Sequence, residues 1–406
     1  MNELEQALQW FVEDKRIMAC LTVTGGTADR ACHAACGRIR EKEASGEDVP
    51  LGEDTLFDLA SLTKIFTGMA VLRLREEGLL DLSRPVTAYA PQFAHLGEVS
   101  VERVLTFSVG LTSPARIDAQ PTREEGLRQL FLTMPQPLGT GRYYSDMHAM
   151  VLKYVAEGAA GESLFDCLSR RILRPLGMKD TFAHVPQGER RRAASCDLEH
   201  RIEGTRHILR RGIAPGTVHD PKARLLSLEG ADLCGHAGLF ATRGDMVRFC
   251  QGVLRGQVLS RESLRFLAQN RTGRPLPEGG YTQYLGCQCY VKHPDQFFSE
   301  IPVYMGEQAF GLSGFTGHHL AIDPERGLFS LFLGDRVLNR LTVLRPPAGM
   351  TLTDFGLDAA GFGSLVWDDG RTVFSSVDYV HQKDARLHAP LARMLGVAPR
   401  EDSGCP

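Results

Sequence analysis

Apolar residues recur at helical spacing through residues 2–14, where Leu4, Leu8, Phe11 and Val12 mark one face of an amphipathic helix. Two strand-like runs, RIMACLTVT and RACHAACGRI, then flank the turn GGTADR and read as a hairpin. After a polar loop the spacing is helical again from Leu59 to Glu77, and Gly78 supplies a stop. Residues 81–180 alternate short helical patterns with Pro and Gly breaks, as in LSRPVTAYAPQF and ILRPLGMKDT. The stretch from about 185 to 235 is irregular and locally basic (ERRRAA, RHILRRG) and reads as a solvated surface. Strand-like runs return in HAGLFAT, QCYVKH, HHLAIDP and LFSLFLGD, the last two around the turn DPERG, and DARLHAPLARMLG predicts a terminal helix.

Strands at both chain ends around an α-rich middle predict an α+β fold. One antiparallel sheet is built from the N- and C-terminal segments and flanked by helices. The expected division is an α/β lobe of about 1–60 and 236–406 and a mostly helical lobe of about 61–235, with a small-molecule cleft between them. The chain of 406 residues has a formal net charge of −3, so no global field favours nucleic acid or an anionic membrane. Glu3, Glu5, Glu13 and Asp14 stand where a secretory signal needs a basic end, and no apolar run is long enough to span a bilayer. A cytoplasmic protein is expected. Its ten cysteines (20, 32, 36, 167, 196, 234, 250, 287, 289 and 405) form no paired C-x-x-C set and are expected as free thiols.

Candidate chemistry starts at DLASLTKIFTGMAV, Asp58–Val71. On a helix, residues i and i+3 share a face, which sets Ser61 beside Lys64 near the helix N-terminus. A serine hydroxyl needs a base within hydrogen-bond reach, and lysine serves as one only where burial or a cation depresses its pKa. No other serine in the chain has lysine three residues on. The second element is Tyr144-Ser145-Asp146 in a loop leading into a helix. There Tyr144 could relay a proton and Asp146 could orient Lys64 or substrate, while Ser145 or Asp146 caps the helix.

Four segments resemble the serine β-lactamase and penicillin-binding-protein-like hydrolases: FDLASLTKIFTGMAVLRLREEGLLDLSRPV, the run from YYSDMHAM to GMKDTF, GHAGLFATRGDMVRF and FGLSGFTGHHLAIDPERGLFSLFLGDRV. The branch is that of class C β-lactamases, esterases and D-amino-acid peptidases. The resemblance implies an acylated nucleophile at Ser61, its base at Lys64, a proton relay at Tyr144 and substrate orientation by Asp146, which replaces the family's Asn. At the third motif the family carries Lys or His, then Thr or Ser, then Gly; here stand Leu312, Ser313 and Gly314. The oxyanion hole maps to the backbone N–H groups of Ser61 and Phe315.

VHDP…AR before GHAGLF is similar to a sub-branch of amidases that cleave muramyl–alanine bonds, with His219 and His236 as loop-shaping residues. No metal site or organic cofactor is expected, because three converging ligands are not evident. Of His318 and His319, alternation sends one to the cleft side, and a surface position is expected. The resulting expectation is a serine hydrolase acting on a small ester, amide or muramyl-peptide-type substrate. The alternatives are a β-lactamase or D-alanyl carboxypeptidase, and a catalytically impaired ligand-binding homologue, which Leu312 favours.

Overall fold

A computed structural model describes residues 1–139, 142–227, 232–296 and 299–397. Its centre is a seven-stranded antiparallel sheet made from both chain ends. In order across the sheet the strands are Tyr290–Val291, Phe310–Gly314, His318–Asp323, Leu328–Asp335, Cys20–Gly26, Ala31–Arg40 and Val49–Pro50. The expected hairpin pairs Cys20–Gly26 with Ala31–Arg40, and Cys20–Gly26 also pairs with Leu328–Asp335, Val23 opposite Phe332.

LFSLFLGD is a near-continuous apolar run because both faces of its strand are covered. Phe332, Leu21 and Val23 cluster with Leu4 and Leu8 of the N-terminal helix, Phe11 of the turn after it, and Leu387 and Leu391 near the C-terminus. Phe329, Leu331 and Leu333 lie in the main core with Phe66 and Met69 of the helix Thr63–Glu76. Each fully buried side chain of this size contributes about 1.5–3 kcal/mol, so the helix that follows Ser61 is anchored along its length. The N-terminal helix begins at Glu3 under a capping box from Asn2 and Glu5 and widens into a π turn at Trp10–Asp14.

Three expectations change. HAGLFAT joins a separate three-stranded sheet, Phe240–Thr242 pairing with Leu56–Asp58 and Thr181–Phe182. The predicted terminal helix is two, Tyr379–Arg386 and His388–Met394, broken at Leu387 just ahead of Pro390, whose missing N–H suits a first turn. The basic stretch taken for irregular surface forms the strand pair Glu199–Glu203 and Arg206–Arg210. It extends a five-stranded sheet in which Arg340–Arg345 runs parallel to Glu199–Glu203 and to Thr372–Ser375. Its local pattern hid it, because EHRIE carries one apolar residue and its stability comes from a strand 140 positions away.

The nine described cysteines are free thiols; Cys405 lies outside the described residues. Among the described residues no helix is long and apolar enough to cross a membrane.

Candidate active site

The helix Thr63–Glu76 is preceded by a single 3-10 turn, Ala60–Leu62, which carries Ser61. Ala60 has φ +45°, a left-handed conformation that costs an alanine about 1–2 kcal/mol. Its N–H is held by Asp58 Oδ1 at 3.0 Å, and Asp58 Oδ2 accepts from the His219 backbone N–H at 2.7 Å. The Asp58 carbonyl accepts from Thr316 Oγ1 at 2.8 Å and from His318 Nε2–H at 2.6 Å. The turn is therefore clamped from three sides.

Strand Phe310–Gly314 runs against this turn, and a Cβ on Gly314 would meet the Leu59 carbonyl oxygen at 2.9 Å. Glycine there lets the strand come close to the turn that carries Ser61. Ser61 and Phe315 consequently line one cavity of about 230 Å³. Neither backbone N–H of this pair has an acceptor among the described residues, the arrangement an oxyanion hole requires.

Lys64 Nζ donates to Ser61 Oγ at 2.9 Å and to the His236 carbonyl at 3.3 Å, and lies 2.8 Å from Asp146 Oδ1. The side chain is fully buried. Burial penalises its ammonium, but the Asp146 carboxylate and then Tyr144 outweigh that, and Lys64 titrates above its ordinary value. This corrects the expectation of a lysine depressed by its apolar surroundings. Phe57, Leu62, Ile65 and Phe66 do desolvate it, yet one carboxylate in contact wins.

Tyr144 is held by its backbone N–H on Gln283 Oε1 at 2.9 Å and by its ring between Phe107 and Tyr290, with centroids 5.7 and 5.5 Å away. Lys64 Nζ is 5.0 Å from the centre of that ring. Ser145 caps the helix Asp146–Ala160 by accepting the Met147 N–H, which leaves Asp146 free to face the lysine.

Asp146 is shared. Lys222 Nζ lies 2.9 Å from its second oxygen and 3.7 Å from Asp220, whose other oxygen meets His236 Nε2 at 2.8 Å. Burial opposes charge at Asp146, but Lys64, His236 and Lys222 hold its carboxyl well below the usual range. His236 is buried, and the Asp220 carboxylate overcomes that to push its pKa up to about 10. Asp146, Asp220 and His236 thus converge, with ligand atoms within 4.8 Å of one another, although the sequence showed no such trio. The positive charge a metal would bring is already supplied there by Lys64 and Lys222, and His236 carries its own proton.

The third motif divides. Leu312 is buried in the main core, paired with Leu320, rather than in the cleft. Ser313 is partly exposed and donates to Glu300 at 2.6 Å. Burial opposes charge on Glu300, yet Lys383, His319 and Ser313 bring its pKa down to about 2. His318 and His319 are both buried, against the expectation of a surface histidine, and desolvation lowers each to about 4. His318 clamps the turn that carries Ser61, and His319 sits behind Ser313 at 3.3 Å.

His219 stacks on Phe315 with ring centroids 5.5 Å apart and 11° between planes, its Nε2 2.9 Å from Glu199. Lys222, Glu199, Arg201, Arg210 and Glu300 were not singled out from the sequence. Only the PKAR beside His219-Asp220 and the basic RHILRRG carried any signal.

A β-lactamase family model matches residues 20–342. An N-acetylmuramyl-L-alanine amidase of Bacillus subtilis is 28% identical over 68% of the chain and 66% of its own length. A putative D-alanyl-D-alanine carboxypeptidase of Escherichia coli is 26% identical over 70% of the chain and 69% of its own. Among solved structures, the simvastatin synthase of Aspergillus terreus superposes with a TM-score of 0.66 at 16% identity, over 98% of both chains.

Proposed function

The chain belongs to the β-lactamase family, and from that premise we propose that it is a serine hydrolase of small esters and peptide-type amides, with Ser61 forming the acyl-enzyme. The observation that carries this reading is the Ser61 Oγ–Lys64 Nζ contact of 2.9 Å beside two unengaged backbone N–H groups. Ser61 Oγ bonds to the substrate carbonyl carbon while the N–H groups of Ser61 and Phe315 hold the oxyanion; expulsion of the leaving group, protonated through Lys64 and Tyr144, breaks its bond to that carbon. Water then attacks the ester on Ser61, and the free acid leaves.

In the resting cleft Lys64 is an ammonium. It becomes the base only after losing a proton to solvent, which puts the rising limb of activity on the alkaline side. The names of the two relatives favour muramyl- or alanyl-amide substrates. The buried core position of Leu312 and the carboxylate of Glu300 beside Ser313 count against penicillin-type recognition at the third motif.

The test is labelling with a neutral fluorophosphonate, read by intact mass. One adduct is expected on the wild type and none on Ser61→Ala. The protonated Lys64 favours the second reading, a ligand-binding homologue without turnover, and a wild type that takes no acylating probe would select it.

A further inference from the structure

Arg201 and Arg210 come from paired strands, Arg201 opposite Ile208 and Glu199 opposite Arg210, so Glu199, Arg201 and Arg210 share one face of the hairpin. Both arginines line the same 230 Å³ cavity as Ser61, Phe315, His219 and Lys222. They share a single buried carboxylate. Glu199 lies 3.3 Å from Arg210 and 3.5 Å from Arg201, and its remaining capacity is taken by His219 and by Thr342 Oγ1 at 2.6 Å. The second carboxylate near Arg201, Glu203, is 3.7 Å away, and Arg201 Nε is buried without a hydrogen-bond partner among the described residues. Two guanidinium groups with up to ten N–H donors thus face one spent acceptor. Desolvation, with Arg210 adding like-charge repulsion, lowers the Arg201 pKa from its ordinary value.

Beside the third motif, Ser313 Oγ is already engaged, donating to the ionised Glu300, which Lys383 and His319 neighbour at 3.6 Å.

We propose that Arg201 and Arg210 form the substrate-anion site of this enzyme, so that its acyl substrates carry a carboxylate that these two arginines bind within the cavity lined by Ser61 and Phe315. The proposal rests on the acyl-serine reading above and names the substrate class for it. Arginine suits the role because its planar fork takes a carboxylate through two parallel hydrogen bonds.

The test compares p-nitrophenyl butyrate with mono-p-nitrophenyl glutarate, which differ in a terminal carboxylate. Wild type is expected to prefer the glutarate in kcat/KM. The glutarate-to-butyrate ratio should fall about ten- to hundred-fold in Arg210→Gln and in Arg201→Gln, the range of one lost charge-assisted hydrogen bond, with partial return in Arg210→Lys. A wild-type preference for butyrate, or a ratio unmoved by both substitutions, overturns the proposal.

Glutarate and inorganic phosphate, each added as an inhibitor of butyrate hydrolysis, separate the sources of anion. Stronger inhibition by glutarate supports the carboxylate assignment; stronger inhibition by phosphate, or none by either, overturns it. Should the hydrolase reading itself fail, with no Ser61 adduct, a thermal shift of the Ser61→Ala protein by glutarate, lost on adding Arg210→Gln, still reports the anion site. Absence of that shift overturns it. Thermal melts of the single variants confirm that each is folded.

Discussion

Replacing Asp146 by Asn removes the charge that holds the proton on Lys64 while keeping size and an acceptor. At 2.8 Å and an effective dielectric of about 20, the carboxylate attracts the ammonium by about 6 kcal/mol. That gross figure is cut because Lys222 shares the same carboxylate at 2.9 Å and 29% of the Asp146 side chain is solvent-exposed. What remains still favours the ammonium, so loss of the carboxylate lowers the pKa of Lys64.

The sign follows from the role. The free amine is the base, its pKa is raised by Asp146, and wild-type kcat/KM therefore climbs with pH through the neutral range without a break. In Asp146→Asn the limb moves to lower pH, and the profile levels off within the measured range. The assay is kcat/KM for a p-nitrophenyl ester from pH 5.5 to 9.5, corrected for spontaneous hydrolysis, in a constant-ionic-strength buffer. A variant profile parallel to wild type would show that Lys64 is not the titrating base or that Asp146 does not hold its proton.

Gly314→Ala places a methyl 2.9 Å from the Leu59 carbonyl. It should part the strand from the nucleophile turn and lower kcat about 100-fold with a small change in KM, which steady-state kinetics on one ester would test. Leu312→His puts an imidazole into the core at a site 1% exposed. Urea melts should show a loss of about 2–4 kcal/mol and no gain on carboxylate-bearing esters; a gain would place position 312 in the cleft after all. His236→Gln breaks a buried ion pair. Because the folded-state pKa of His236 is raised to about 10, its contribution is complete below about pH 6.5, the unfolded value, and fades as pH rises toward 10. The variant should cost about 3–5 kcal/mol at pH 6 and clearly less at pH 9, measured by urea unfolding at both. An equal cost at the two pH values would mean that His236 is neutral when folded.

Local pattern alone determined the elements whose causes are local. Alternation and turn residues mark the hairpin at Cys20–Arg40, helical spacing marks the run after Ser61, and the i, i+3 geometry sets Ser61 beside Lys64. The four motif segments carried the family and the acyl-serine chemistry. Tertiary structure decided what depends on charges and strands brought together from far along the chain. Lys64 meets the His236 carbonyl across 172 positions, and the state of its proton is set by burial against Asp146 and Tyr144, with Asp146 tied in turn to Lys222 by a contact that no spacing predicts. The basic run at 206–211 reads as solvent-facing because a hydrophilic strand has no apolar period of its own. Only its pairing with Glu199–Glu203, the strand that lies beside Arg340–Arg345, brings Arg201 and Arg210 to the cavity lined by Ser61. The sequence could name the residue missing at the third motif, and only the fold shows where that position goes: Leu312 is buried in the core, while Arg201 and Arg210 line the cavity that holds Ser61.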